Sequence, residues 1–149
     1  MTSAEELLVK EDAAWQAFAA QVARVPEDER ERPGALEGWS VKDLVWHNGY
    51  WARFCADALE RLGDGPFVDP FGDESSEHWD AENARVADES AAMTWEEVER
   101  GAGDARDHLR ATVAALPSID DDRAAMIGDE TFVHYDEHAG HVAAFVDRI

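Results

Sequence analysis

Half of the chain's six histidines fall in one short run, His134-Tyr135-Asp136-Glu137-His138-Ala139-Gly140-His141-Val142. Successive helical residues turn by about 100°, so His138 stands about 40° to one side of His134 and His141 about 20° to the other. All three share one narrow stripe. Phe145 continues that stripe as an apolar residue, so the stripe should face a core. Neutral imidazoles one turn apart on such a face can chelate a metal ion. Two pairs have a suitable spacing, His134 with His138 and His138 with His141, and periodicity does not choose between them. A structural zinc site uses four protein ligands, whereas a catalytic one uses three and keeps a position open.

His47 is the only histidine in the first 77 residues. It lies one turn beyond Leu44 and one turn before Trp51, on the apolar side of a helical segment. Added to a pair from the C-terminal run, it would give three nitrogen donors from two helices. His78 and His108 lie on polar faces without a partner and are expected at the surface. Glu137 is a candidate general base or hydrogen-bond partner of a ligand, against the plainer reading of a charged face. Asp136 is expected to be solvated. Trp46, Trp51 and Tyr135 can wall a pocket, but aromatic residues at helical spacing are core residues first. Asn83 can reach the site from a neighbouring helix. Cys55, about 80° round the helix from His47, reads as a small buried hydrophobe.

These residues need helices to position them, and the chain supplies helical patterns throughout. Leu7, Leu8, Trp15, Phe18, Val22 and Val25 recur at helical spacing from about Ser3 to Arg24, where Pro26 follows. A second helix opens at Ser40, whose hydroxyl can accept from the free amide of Asp43. Trp39 and Leu44 occupy staple positions around that cap. Its apolar line, Leu44, Trp51, Cys55, Ala58 and Leu62, runs to Gly63. A loop of Gly and Pro over residues 63–73 precedes a helix from about Glu77 to Ala91. Thr94-Trp95-Glu96-Glu97 is a capping box that starts a further helix, which ends before Pro117. The acidic stretch SIDDDRAAMIGD reads as a loop, with the last helix running from about Glu130 to the end. Long helices joined by loops, with no convincing strand, indicate an antiparallel helix bundle.

At 149 residues with 45% hydrophobic residues, the chain fits one domain, residues 1–149, with a real core. No apolar run is long enough to span a bilayer. The N-terminus lacks the basic start and apolar stretch of a secretory signal, and the single cysteine allows no internal disulfide. A cytoplasmic location is therefore expected. With 13 basic and 34 acidic residues, the formal net charge of −21 should repel phosphate backbones and anionic lipid, so neither nucleic acid nor a membrane is an expected partner.

The segment Gly38-Trp39-Ser40-Val41-Lys42-Asp43-Leu44-Val45-Trp46-His47 combines a Trp-Ser cap with a histidine seven residues beyond Ser40. With the C-terminal histidine run, and with Asp80–Val86 leading into Thr94-Trp95-Glu96-Glu97-Val98, it resembles the DinB/YfiT-like superfamily. That superfamily includes the N-terminal part of mycothiol-dependent maleylpyruvate isomerases. The resemblance covers nearly the whole chain. It implies an all-α, antiparallel (up-down-down-up) four-helix bundle with an additional short helix in the long connection. It also implies His47, His134 and His138 as ligands of a divalent metal, zinc or nickel. Ala139-Gly140-His141-Val142 matches a family motif like Arg-Gly-Gln-Ile, so His141 falls where Gln is frequent and takes a neighbouring role. Glu137, Trp51 and Asn83 are the other pocket candidates.

By the same resemblance, the expected chemistry joins a low-molecular-weight thiol, such as mycothiol or bacillithiol, to a small electrophile. The alternatives are a metal-dependent hydrolase and a non-catalytic, stress-related binding protein. The chain ends at Ile149, without the additional C-terminal domain of those isomerases, so maleylpyruvate isomerisation itself is not expected. Relatives are often homodimers, and the same is expected here.

Overall fold

A computed structural model describes residues 2–149. Among these the protein is all-helical, and the sole bridge is an isolated one between Leu36 and Trp39. Six α-helices follow in chain order: α1 (Ala4–Ala23), α2 (Val41–Leu62), α3 (Ser76–Ala91), α4 (Trp95–Ala114), α5 (Asp121–Glu130) and α6 (Phe132–Arg148). A single 3-10 turn, Glu27–Glu29, interrupts the α1–α2 connection. No described helix is long and apolar enough to cross a membrane.

Side-chain caps fix most of the helix starts. Ser3, Ser75, Thr94 and Asp120 each accept a bond from the amide three residues on. At α2 the cap is reciprocal. The Asp43 amide donates to Ser40 Oγ at 3.1 Å, and the Ser40 amide donates to Asp43 Oδ2 at 2.9 Å. Ser90 Oγ donates to the other Asp43 oxygen at 2.6 Å, which ties the end of α3 to the start of α2.

The helix α2 is central and packs against α4, α3, α5 and α6, while α1 packs chiefly against α6. Small residues set the α2–α4 approach. A Cβ on Gly49 would lie 2.8 Å from Ala102 Cα, and one on Gly101 would meet the Trp46 ring at 2.5 Å. This close seam turns one face of α2 to α4 and leaves His47 free to face elsewhere. The core has two apolar clusters. Phe18, Leu44, Val98, Tyr135 and Phe145 belong to the first, and Leu7, Leu59, Leu109 and Ile127 to the second. Along α2, the polar His47 and Asn48 fall between Val45 of the first cluster and Ala52 of the second.

The acidic stretch after Pro117 is not the expected loop. Residues 121–130 form α5, because Asp120 caps it through the Arg123 amide at 2.8 Å and Asp121 and Asp122 occupy its first turn. Carboxylates there interact favourably with the helix dipole. The last helix therefore begins at Phe132, not Glu130. The chain bends at Thr131, with φ −121° and ψ −94°, and the buried Thr131 hydroxyl donates to the Ile127 carbonyl at 2.6 Å. The Phe132 ring folds over Gly128, where a Cβ would lie 2.8 Å from Cζ.

Candidate metal centre

His47 from α2 meets His134 and His138 from α6 in the interior. The three ring centroids form a nearly equilateral triangle, with sides of 4.7, 4.8 and 4.6 Å. One nitrogen from each ring lies within 4.8 Å of the others, and His47 Nε2 and His134 Nε2 are 2.8 Å apart. His47 is 5% exposed and His138 3%. Three further ring nitrogens, His47 Nδ1, His134 Nδ1 and His138 Nε2, are buried without a hydrogen-bond partner. The Nδ1 atoms of His47 and His134 are not the nitrogens that meet at the cluster, so of the three an ion there would supply the partner of His138 Nε2, whose Nδ1 already contacts His141.

Burial pushes all three imidazoles below their ordinary pKa of 6.5. His47 falls to about 2, with further contributions from His134 and His138. His134 falls to about 4, and His138 to about 3, the latter also through His134 and His141. The rings are therefore neutral near pH 7, with lone pairs free to coordinate. Zinc–nitrogen bonds of about 2.0–2.1 Å in a tetrahedral site set donors about 3.3 Å apart, so small ring rotations reach that spacing. The donor set fits a divalent ion that accepts imidazole, such as zinc or nickel.

His141 is half-buried, and its Nδ1 lies 3.1 Å from His138 Nδ1. It thus stands behind His138, on the side opposite that ring's free Nε2. Such a contact fixes the tautomer and orientation of a coordinating ring. Glu137 is exposed and does not line the cavity beside the cluster. Trp51 and Asn83 do line it, and the Trp51 indole N–H donates to Asn83 Oδ1 at 2.9 Å. His78 and His108 have the solvent-exposed side chains expected, but each has a carboxylate neighbour. His78 lies 3.6 Å from Glu74, and His108 lies 3.0 Å from Glu60 and 3.6 Å from Asp57. The latter pairs reach across from α4 to α2, which spacing along one helix does not reveal. Cys55 is fully buried, and burial raises its thiol pKa, so it is an inert core residue.

The cavity holds about 180 Å³ and is lined by His47, Trp51, Phe71, Trp79, Asn83, Asp129, Glu130 and His134. Sequence reasoning missed Phe71, Trp79, Asp129 and Glu130. Phe71 comes from a loop without periodicity. Trp79 gave one signal, as the only Trp, Tyr or Phe on α3. Glu130 is one turn before His134, a relation already present in the sequence, since the expected start of the last helix lies near Glu130. Its carboxyl is pushed up to about 7 by burial and by the like charges of Asp129 and Asp69.

The helical fold and the convergence of His47, His134 and His138 from two helices agree with the class of DinB-like metal-binding domains to which the family match assigns the chain. Residues 12–136 match the mycothiol maleylpyruvate isomerase N-terminal domain, and the chain belongs to that family. No curated protein and no solved structure matches the chain.

Proposed function

We propose that this protein is a divalent-metal-dependent enzyme that joins a low-molecular-weight thiol to a small electrophile. The observation that carries the reading is the convergence of His47, His134 and His138, two of which, His47 and His134, line a cavity. His47, His134 and His138 would hold the ion. A divalent ion held by three neutral nitrogens supplies Lewis acidity and stabilises a thiolate. The residues around it divide the remaining work. His141 orients His138 through the Nδ1 contact. The Trp51 ring, fixed by Asn83, forms an apolar wall that excludes water. Glu130, with its carboxyl near 7, can take the S–H proton of an entering thiol. Mycothiol and bacillithiol are the thiols proposed, the first in keeping with the family's name.

The same carboxyl favours one further reading. A group titrating near neutrality beside a metal centre also suits activation of water, as in a metal-dependent hydrolase. A non-catalytic, stress-related binding protein on the same bundle is the remaining alternative. The proposal includes an antiparallel up-down-down-up helix order, a homodimer, a cytoplasmic location and no nucleic-acid or membrane partner.

The test is a reaction of zinc- or nickel-loaded protein with mycothiol, bacillithiol or glutathione and monobromobimane. Metal-dependent adduct formation that His138→Ala reduces to the uncatalysed rate is expected. Thiol-independent turnover of an ester or amide would transfer the assignment to the hydrolase. No turnover of either kind in fully loaded protein would leave the binding role.

A further inference from the structure

The wall of the cavity facing the histidine cluster is chemically one-sided. Trp51, Phe71 and Trp79 supply three aromatic rings, and Asp129 and Glu130 supply two carboxylates. No lysine or arginine lines it. The carboxyl of Asp69 adds a third negative charge close by. Among the described residues, neither Asp129 nor Glu130 forms an ion pair, although Arg85, Arg106, Arg110 and Arg123 all pair with carboxylates elsewhere.

The rings are set at angles to one another, not in a flat stack of three. Phe71 and Trp79 meet at 67° with centroids 5.0 Å apart, and Trp51 and Trp79 at 67° and 5.8 Å. Trp51 and Phe71 are closer to parallel, at 26° and 5.9 Å. The wall is held in place from behind. Asn83 fixes the Trp51 indole, and the Tyr50 hydroxyl donates to Glu82 at 2.6 Å, anchoring α3 to α2. His47, which is buried, also lines the cavity. Aromatic faces attract a cation within about 6 Å of a ring centroid, most strongly where water is excluded. Carboxylates without a counter-ion add to that attraction.

We infer that this cavity binds an organic cation, with an ammonium group held in the cavity against the aromatic wall of Trp51, Phe71 and Trp79 and beside the carboxylates of Asp129 and Glu130. The inference deepens the proposed function and rests on it for what the ligand's other end meets. The substrate or its thiol partner then carries a primary or quaternary amine at one end and its reactive group at the histidine cluster. A cavity of about 180 Å³ is smaller than the ~300–1,000 Å³ usual for whole drug-sized ligands, so it takes the amine-bearing head and not a full cofactor.

The test compares choline with its neutral isostere, 3,3-dimethylbutan-1-ol, by calorimetric titration of the full chain, metal-free and zinc-loaded. Zinc stoichiometry is measured separately. Choline should bind at least about tenfold more tightly than the isostere in both forms. Glu130→Gln, which preserves shape, should reduce choline affinity by about fivefold or more and leave that of the isostere nearly unchanged, and Trp79→Ala should reduce choline affinity by a larger factor than that of the isostere. Equal binding of the two isosteres would overturn the inference, as would no choline binding up to about 10 mM in zinc-loaded protein. Displacement of choline by zinc would also overturn it, because the carboxylates would then be answering the metal's charge. Choline selectivity in a chain that takes up no zinc would support the cation site while refuting the metal-centre reading.

Discussion

At the scale of single residues, the C-terminal histidine run divides into two roles that spacing alone cannot separate. His134 and His138 face His47, and His141 contacts His138 on its other nitrogen. His134→Ala and His138→Ala should each abolish stoichiometric metal binding, measured by elemental analysis after dialysis. His141→Gln should keep the ion, because its amide oxygen can still accept from His138. His141→Ala, which leaves no acceptor, should weaken metal affinity by about 10–100-fold. Loss of the ion in His141→Gln with retention in His134→Ala would make His138 and His141 the ligand pair. Ordinary imidazoles would release metal near pH 5 and hold it near pH 8. These rings, depressed to about 2, 4 and 3, should retain it at pH 5 and release it only as the pH approaches 4 and below. The sign for folding follows from the same shifts. The unfolded chain takes up protons first, so the contribution of these rings to the stability of the metal-free protein is full above about 6.5 and declines as pH falls toward the folded values. Glu130, with its carboxyl pushed up to about 7, works in the opposite direction, so the check compares apo wild type with apo His138→Gln between pH 7 and pH 5: the same pH dependence of melting temperature in both would contradict this.

At the scale of elements, the site depends on how α2 is gripped. The Gly49–Ala102 seam holds α2 against α4. Gly49→Ala should destabilise the fold by about 1–3 kcal/mol through overpacking, read from urea denaturation. A second tie joins α1, α4 and α6. The buried Glu11 accepts from Arg106 at 2.8 Å, from Arg110 at 2.7 Å and from the Tyr135 hydroxyl at 3.2 Å. Glu11→Ala should cost about 3–5 kcal/mol by leaving two arginines without their buried partner. A loss below about 1 kcal/mol would mean that water replaces the carboxylate. The elements also show what the sequence could express. Ser40 and Asp43 announced α2 through local hydrogen bonding, and the 3.6-residue period placed His47, His138 and Phe145 inward. The run Asp120–Asp122 was read as a solvated loop because its apolar partners, Met126 and Ile127, are too few to set a period within one short helix. Phe71 reaches the cavity by tertiary folding of a loop and leaves no periodic trace, whereas the one-turn spacing of Glu130 and His134 is present in the sequence.

At the scale of the whole molecule, a net charge of −21 on 149 residues makes self-repulsion a general term. Salt should therefore raise the melting temperature between about 10 and 150 mM, where the screening length shrinks from about 30 to 8 Å. A flat or falling response would mean that the local ion pairs outweigh the overall field. The same field favours cations over anions in the histidine-lined cavity, in keeping with a metal ion there. The most direct test of that centre is metal analysis of tag-free protein reconstituted at neutral pH, combined with X-ray absorption at the metal edge. The expected result is one zinc or nickel ion per chain with an imidazole-rich nitrogen shell, at about 2.0–2.1 Å for zinc. A wild-type chain that retained no ion, or a His47/His134/His138 triple alanine variant that retained a full one, would contradict the account.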